Sequence, residues 1–269
     1  MASAKNTRLK AGGRGVSMAK AVARTSVSPV GAKARAIAKT EPVAAKVERG
    51  KPAKPLAPER VAAVLDGLKK AYPKAVCALN HRSAWELLVA TILSAQCTDV
   101  RVNLATPALF AAFPTPRAMA AASLPELEEL IRTTGFFRNK AKSIKGAGRV
   151  VEEEFGGKVP QTMDELLRIP GAARKTANVV LGSWFGIAVG VVVDTHVLRI
   201  SRRLELTKET TPEKVEKDLM RVIPQPKWID FSHEVIFHGR QICIARKPKC
   251  ADCTLERLCN SADKTWSSH

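Results

Sequence analysis

Residues 169–177 decide how the chain folds, and they read Ile169-Pro170-Gly171-Ala172-Ala173-Arg174-Lys175-Thr176-Ala177. Residues 163–168, just before, have the composition of a short helix. Pro170 and Gly171 end that helix, because proline has no backbone N–H and glycine adopts conformations that close a helix. A second helix begins at once, so the stretch predicts a tight helix–hairpin–helix. Its first backbone N–H groups have no partner within the helix and would bind a phosphate without reading bases.

Lys175 lies in the first turn of the second helix. The positive end of the helix dipole favours the neutral amine there. A neutral lysine amine is a nucleophile for a carbonyl-like carbon, which makes Lys175 a candidate catalytic residue. Taken alone, a lysine at such a position is more often an ordinary solvent-facing residue.

A second candidate follows an apolar run further along the chain, in the stretch Val193-Asp194-Thr195-His196. Asp194 is of the residue type that caps a helix N-terminus. A carboxylate held near Lys175 would also stabilise a positively charged sugar centre or accept a proton. Capping and catalysis are compatible in one residue, so both interpretations are kept.

Four of the six cysteines lie within 17 residues near the C-terminus, at Cys243, Cys250, Cys253 and Cys259. Their spacing is C-x6-C-x2-C-x5-C, and such a compact set suits a [4Fe–4S] cluster. Zinc sites more often pair two C-x2–4-C knuckles, and this set contains one, so the spacing favours the cluster without excluding zinc. Cys77 and Cys97 stand apart and are predicted to be small core residues.

Several cations lie in or just before the cysteine loop, namely Arg240, Arg246, Lys247 and Lys249. A metal centre that pins this loop would turn these cations into a phosphate-binding finger. The plainer alternative is a solvated charged surface.

The rest of the chain also predicts helices, and strand-like alternation is nearly absent. Ser83, Ser123 and Thr162 are each followed three residues later by a glutamate, which is the pattern of a capping box. Val191 to Val193 is a β-branched run with no evident partner strand. The predicted fold is all-α, with about ten short helices.

The charge of the chain indicates a polyanionic partner. Its 269 residues contain 44 Lys and Arg against 25 Asp and Glu, a net charge of +19. Cysteines crowded in one loop are typical of metal ligation in a reducing compartment, and no apolar run is long enough to cross a membrane.

The charge is concentrated at the start of the chain, where residues 1–58 hold 13 Lys and Arg but only Glu41 and Glu48 as acids. These residues contain almost no large apolar side chain, so residues 1–56 are predicted to form a disordered basic arm. The alternatives are a solubilising tail and an organelle transit peptide.

Five motifs occur together in a specific order. They are Leu93-Ser94-Ala95-Gln96, Thr134-Gly135-Phe136-Phe137-Arg138-Asn139-Lys140-Ala141, the hairpin with Lys175, the Val193–His196 stretch and the four cysteines. Over about residues 57–263 the chain closely resembles endonuclease III, the family of DNA glycosylase/AP lyases within the helix–hairpin–helix superfamily.

The resemblance implies two helical domains that flank a DNA-binding cleft. A six-helix domain with the hairpin would span residues 77–187. An iron–sulfur domain with a C-terminal [4Fe–4S] loop would combine residues 57–76 and 188–263, leaving residues 264–269 as a tail. In the family the four cysteines hold a [4Fe–4S] cluster.

The resemblance also implies roles for individual residues. The family's nucleophile falls on Lys175 and its aspartate on Asp194, while Gln96 would fill the gap left by a flipped nucleotide and Phe136 would wedge into the opposite strand. DNA contacts are also expected from Gly171, Ala173, Arg174, Arg240, Arg246, Lys247 and Lys249. The implied reaction is excision of oxidised pyrimidines and cleavage of abasic sites by Schiff-base formation and β-elimination in base excision repair.

The implied partner is double-stranded DNA with damaged pyrimidines or abasic sites, and a monomer is expected. A cytoplasmic, nucleoid-associated location follows if the source is bacterial.

One residue departs from the family pattern. The family hairpin usually reads Gly-x-Gly, and the second glycine is replaced here by Ala173. Alanine adds a Cβ near the phosphate and resists positive φ, so a weaker phosphate grip is expected.

Two other functions remain open. An adenine DNA glycosylase of the same superfamily would lack a lysine at position 175 and would carry a further C-terminal domain, whereas ten residues follow Cys259 here. A non-enzymatic iron–sulfur DNA-binding protein would have no need of Lys175 and Asp194.

Overall fold

The computed structural model describes residue 54 and residues 56–265. Almost all of the predicted basic arm, and residues 266–269 of the predicted tail, lie outside these described residues.

The described residues form eleven α-helices and no strand, which confirms the all-α prediction. The helices are α1 (Pro58–Ala71), α2 (Ala84–Leu93), α3 (Asp99–Ala112), α4 (Pro116–Ala121), α5 (Leu124–Ile131), α6 (Phe137–Phe155), α7 (Met163–Leu167), α8 (Arg174–Ser183), α9 (Thr195–Arg203), α10 (Pro212–Val222) and α11 (Trp228–Gln241). Short 3-10 turns occur at Arg132–Thr134, Gln225–Lys227, Cys250–Asp252 and Glu256–Leu258. The β-branched run at residues 191–193 is irregular.

Side-chain caps define where several helices begin. Ser123 and Glu126 form a complete capping box at α5, because each side chain accepts a hydrogen bond from the other residue's N–H. At α2, Ser83 Oγ accepts from the Glu86 N–H at 3.1 Å, but the Glu86 carboxylate accepts from the N–H of Arg82 instead. The predicted starts are therefore correct, although only one of these two boxes is reciprocal.

Two hydrophobic clusters form the core, and each defines a lobe. The hairpin lobe contains α2 to α8, and its fully buried side chains include Leu88, Leu93 and Ile144. The cysteine lobe contains α1, α9 to α11 and the cysteine loop. The predicted boundaries at residues 77 and 187 stay predictions.

Helix α1 belongs to the cysteine lobe despite its distance in sequence. Val64 and Leu68 are fully buried in that cluster, and burial of each such side chain contributes about 1.5–3 kcal/mol. The buried Arg60 guanidinium donates to the carbonyl of Leu258 at 3.0 Å from Nε and 2.6 Å from Nη2. The start of α1 thereby fixes the backbone just before Cys259.

Within the described part of the chain, no helix combines the length and the hydropathy needed to span a membrane.

Candidate active site and cysteine pocket

Lys175 and Asp194 line the same cleft, which lies between the two lobes. The cleft is open to solvent, and its volume accessible to water-sized molecules is about 80 Å³. Its wall also includes Ser94 and residues 76–79 of the hairpin lobe, and Ser232, His233 and Arg240 of the cysteine lobe. The fold thus brings together the two residues that the sequence marked as catalytic, although they lie in different lobes.

The Lys175 side chain is exposed and unpaired among the described residues. Lys175 lies in the first turn of α8 and is exposed, and its amine has no hydrogen-bond or ion-pair partner among the described residues. Ala173 is the N-cap of α8 and supplies no capping side chain, so the first N–H groups of that helix also remain available.

Asp194 caps α9 with one of its two carboxylate oxygens. Oδ1 accepts hydrogen bonds from the N–H groups of His196 and Val197, both at 2.8 Å. Oδ2 has no hydrogen-bond partner within the part of the chain that the structure describes. One carboxylate can therefore hold the helix and act on a reacting group at the same time.

The hairpin needs a glycine at one of its two marked positions. Gly171 has φ +83°, and a Cβ there would lie 3.0 Å from Ser143 Cβ and 3.1 Å from Ile92 Cγ2. Ala173 has φ −78° and ψ 171°, an extended conformation that any residue adopts. The expected conflict between Ala173 and a positive φ therefore does not arise, because this position does not use the left-handed region.

Arg174, which the sequence marked for DNA contact, is paired within the protein. Its Nε lies 2.8 Å from Glu216 Oε2 and its Nη2 lies 3.1 Å from Oε1. Glu216 is buried on α10 and also accepts from Asn178 Nδ2 at 2.8 Å. Arg174 thus joins the start of α8 to the cysteine lobe.

A second ion pair closes the cleft wall between the lobes. Arg240 Nη2 of α11 lies 2.5 Å from Asp99 Oδ2 at the start of α3, and both residues line the cleft. The predicted phosphate ligand Arg240 therefore lines the same cleft as Lys175 and Asp194, with its charge already matched.

Backbone strain coincides with the predicted DNA contacts. Four non-glycine residues in the described chain have positive φ, namely Gln96, Phe136, Lys247 and Glu205. The first three are residues that the sequence marked for DNA binding. A left-handed residue other than glycine costs about 1–2 kcal/mol, and such strain clusters at functional sites. Phe136 is also 66% exposed.

The four marked cysteines line one further pocket, with about 430 Å³ of open space. None of them forms a disulfide. Arg203 Nη1 donates to Cys243 Sγ at 3.2 Å, and the Thr265 N–H donates to Cys250 Sγ at 3.4 Å. Hydrogen-bond donors aimed at sulfur are typical of thiolates that hold a metal centre.

The chemistry of this pocket fits an iron–sulfur cluster. Among the described residues, no three His, Cys, Asp or Glu side chains are placed to hold a single metal ion. A four-iron cluster needs a wider set, because each iron takes one thiolate. Burial raises the pKa of the Cys253 thiol to about 11, so a proton must leave when that sulfur becomes a ligand.

Arginines of α9 fix the start of the cysteine loop. Arg199 Nη2 donates to the carbonyl oxygens of Cys243 at 2.9 Å and Gly239 at 3.1 Å. Arg203 donates to the carbonyl of Ile244 at 2.8 Å and pairs with Asp263. Further along the loop, Arg246 and Lys247 are exposed and have no side-chain partner among the described residues, while Lys249 is half-buried beside the cysteines.

Comparison with known proteins matches this geometry to one family. A model of the HhH-GPD superfamily of base excision DNA repair proteins matches residues 89–225. The endonuclease III of Synechocystis sp. is 59% identical over 204 residues, covering 76% of this chain and 93% of that protein. The endonuclease III of Bacillus subtilis is 43% identical over 201 residues, covering 74% and 91%. The chain belongs to the endonuclease III family of the HhH-GPD superfamily.

A solved structure supports the same placement within the endonuclease III family. It is a trapped endonuclease III–DNA covalent intermediate, an estranged-adenine complex, and its protein is 42% identical to this chain with a TM-score of 0.72. The match covers 76% of this chain and 96% of that one. The HhH-GPD match contains the hairpin, Lys175 and Asp194, whereas the four cysteines at residues 243–259 lie beyond it.

Sequence reasoning missed several residues around the endonuclease III cleft. The sequence indicates Asp99 only as a helix start, and it gives Ser94 and His233 no role in the cleft. His233 lies between Ser232 and Glu234 on α11, and its ring lies 3.2 Å from Ser183 Oγ. The sequence around His233 carries no signal that it lines the cleft.

Proposed function

We propose that this chain is a bifunctional DNA glycosylase/AP lyase of base excision repair, acting on oxidised pyrimidines and abasic sites in double-stranded DNA. One observation supports this most directly: the unpaired Lys175 amine and the free oxygen of Asp194 line one cleft beside a phosphate-binding hairpin. The capture of a relative as a covalent intermediate with DNA agrees with a nucleophilic mechanism.

The reaction begins when the damaged nucleotide leaves the base stack, because its sugar is otherwise out of reach. The Lys175 amine attacks C1′, and the bond from C1′ to the base breaks. The base leaves with that electron pair and takes up a proton. Asp194 Oδ2 stabilises the positive charge that develops on the sugar and accepts a proton from the attacking amine.

The second half of the reaction cuts the strand. The C1′–O4′ bond breaks as the Lys175 nitrogen forms a protonated Schiff base with C1′, and O4′ leaves with the electron pair and takes up a proton. The protonated imine then acidifies C2′, from which a base removes a proton. The C3′–O bond breaks in a β-elimination, and water later releases the lysine.

The proposed DNA contacts are made by residues with positive φ and by cations and N–H groups that have no internal partner among the described residues. The N–H groups at the start of α8 would bind a backbone phosphate, while Arg246, Lys247 and Lys249 would hold the same strand by charge. Gln96 would fill the space of the flipped nucleotide, and Phe136 would insert beside the base left behind. Arg174 and Arg240 would act by holding the lobes together, since their charges are matched internally.

The test compares Lys175→Ala with Lys217→Ala, an exposed lysine of α10 that has no side-chain partner among the described residues. Borohydride added during reaction with an abasic duplex should trap a covalent adduct with wild type and Lys217→Ala. Lys175→Ala should give no adduct and should still bind the duplex. Base release from a duplex that still carries the base, without any adduct in wild type, would favour a monofunctional adenine glycosylase, and binding without release or adduct would favour a non-enzymatic binder.

We also propose that the four cysteines hold a [4Fe–4S] cluster. When bound, the cluster would fix the basic loop in one conformation, and no step of the reaction above uses it. The isolated protein should absorb broadly in the visible range with about four irons per chain, and Cys250→Ser should lose both signals. Colourless protein with one zinc per chain would contradict this assignment.

The remaining proposals concern the whole chain. It is proposed to act as a monomer, and the basic arm to add affinity for DNA of any sequence. Deletion of residues 1–55 should leave single-turnover cleavage unchanged and make binding to undamaged DNA less dependent on salt. A salt dependence equal to that of the full chain would contradict a DNA-binding role for the arm.

A further inference from the structure

Lys140 is a buried lysine in the first turn of α6. It is only 6% exposed, and burial lowers the pKa of its ammonium group. Its position is unfavourable in two further ways, because the positive end of the helix dipole repels a cation and a buried lysine loses its rotamer freedom. A charge in such a place is retained in folded proteins only when it binds something specific.

The partner of Lys140 is the loop that carries Phe136. Lys140 Nζ donates to the carbonyl oxygen of Thr134 at 2.8 Å, and Thr134 is itself buried. Two consecutive left-handed residues follow, Gly135 with φ +71° and Phe136 with φ +47°. The bond therefore fixes the last peptide before the strained pair.

The first turn of α6 holds the other side of the same loop. The N–H groups of Asn139 and Lys140 both donate to the carbonyl oxygen of Phe136 at 3.1 Å. Lys140 thus binds the loop before the strained pair with its side chain and after it with its backbone. The aromatic ring of Phe136 is left projecting, at 66% exposure.

We propose that Lys140 is a positioning residue that holds the Phe136 loop in its strained conformation before DNA arrives. This proposal rests on the proposed function, because it relies on the insertion of Phe136 beside the base left behind when a nucleotide flips. Pre-organisation of the loop removes an ordering cost from the moment of base flipping. Lys140 thereby acts on nucleotide flipping and leaves the chemistry at Lys175 untouched.

The experiment substitutes Lys140→Met, which keeps the length of the side chain and removes its donor. The matched control is Lys142→Met, an exposed lysine of the same helix with no side-chain partner among the described residues. Flipping is followed by the fluorescence of 2-aminopurine placed opposite a thymine glycol lesion. Excision of the lesion and cleavage of a preformed abasic site are measured in single turnovers.

Lys140→Met should reduce both flipping and lesion excision about tenfold, while binding to undamaged duplex and abasic-site cleavage change about twofold or less. The decisive measurement is a double-mutant cycle with Phe136→Ala. If Lys140 acts through Phe136, Lys140→Met should have no further effect on flipping once the ring is absent. Additive losses, or equal losses on undamaged DNA, would overturn the proposal.

A second variant tests the proposal independently in case Lys140→Met does not fold. Gly135→Ala strains the same loop, since its φ is +71° and no atom lies near the added Cβ. It should reproduce the loss of flipping with a normal circular dichroism spectrum, and unchanged flipping in this variant would also overturn the proposal. Absence of a trapped adduct in wild type would instead overturn the proposed function, and that result is independent of both loop variants.

Discussion

Two pockets lie at opposite ends of α9. Asp194, the N-cap of α9, lines the cleft, and Arg203, the last residue of α9, lines the cysteine pocket. In the cysteine pocket, Arg199 and Arg203 both bind backbone carbonyls of the loop, and Arg203 also binds a carboxylate. In the cleft, the Lys175 amine has no partner among the described residues.

The difference separates two uses of positive charge in a chain of net charge +19. A cation with several internal acceptors stabilises the fold, and its removal leaves those acceptors without donors. A cation without an internal partner adds little to stability and remains available to a polyanion or a reacting carbon. Arg174 and Arg240 each pair with one carboxylate and stay partly exposed, and their contact with DNA stays a prediction.

The largest expected effect is on catalysis in the cleft. Asp194→Asn should slow single-turnover base excision by about 10²–10⁴-fold, because an amide provides no negative charge and accepts no proton from the amine. Thermal stability should stay close to that of wild type, because asparagine caps a helix as well as aspartate does. Near-normal excision would show that Asp194 is only a cap.

The next effect is on stability at the other end of α9. Arg203→Met should lower the free energy of unfolding by about 2–4 kcal/mol, because two loop carbonyls and Asp263 lose their donor. The control is Arg202→Met, whose exposed side chain has no partner among the described residues. Urea denaturation of both variants tests the comparison, and equal losses would contradict it.

A smaller effect on stability is expected at the hairpin, where Ala173 serves as the control position for Gly171. Gly171→Ala should destabilise the protein by about 1–3 kcal/mol, because φ is +83° and the new Cβ meets Ser143 and Ile92. Ala173→Gly restores the family residue and should change stability by only a few tenths of a kcal/mol, since φ there is −78°. Urea denaturation of both variants measures the two costs, and similar values would contradict the distinction between the two hairpin positions.

The smallest effect on stability is expected in the basic loop. Lys247→Gly removes a left-handed lysine, so the free energy of unfolding should rise by up to about 1 kcal/mol or stay unchanged. The same change should weaken binding to undamaged DNA and make the log–log salt slope shallower by about 0.9, the loss of one phosphate contact. Lower stability together with unchanged binding would place Lys247 in the first group of cations.

The local parts of the fold were predictable from the sequence. Pro170 and Gly171 end a helix through their own backbone chemistry, and Ser123 with Glu126 caps one across three residues. Asp194 is identifiable as a cap for the same reason, and α9 begins directly after it. These signals depend on residues within one helical turn, so they can be recognised without knowledge of distant contacts.

The pairing of the cations was not predictable in this way. Arg174 meets Glu216 across 42 residues of chain, and Arg240 meets Asp99 across 141. Lys140 reads as a surface lysine in the sequence, and only the packing of α6 against the preceding loop buries it. The local sequence pattern does not show which acidic side chain or carbonyl will pair with a given cation.

The sequence by itself determined the helices, the hairpin and the compact cysteine set, because each depends on residue type and short spacing, and it marked Lys175 and Asp194 as candidates. The tertiary structure alone decided that Lys175 and Asp194 share one cleft, that Ala173 needs no glycine conformation, and which cations stay unpaired among the described residues. The physical reason is that charge pairing and burial are long-range properties, set by the packing of two lobes that the chain builds from distant segments.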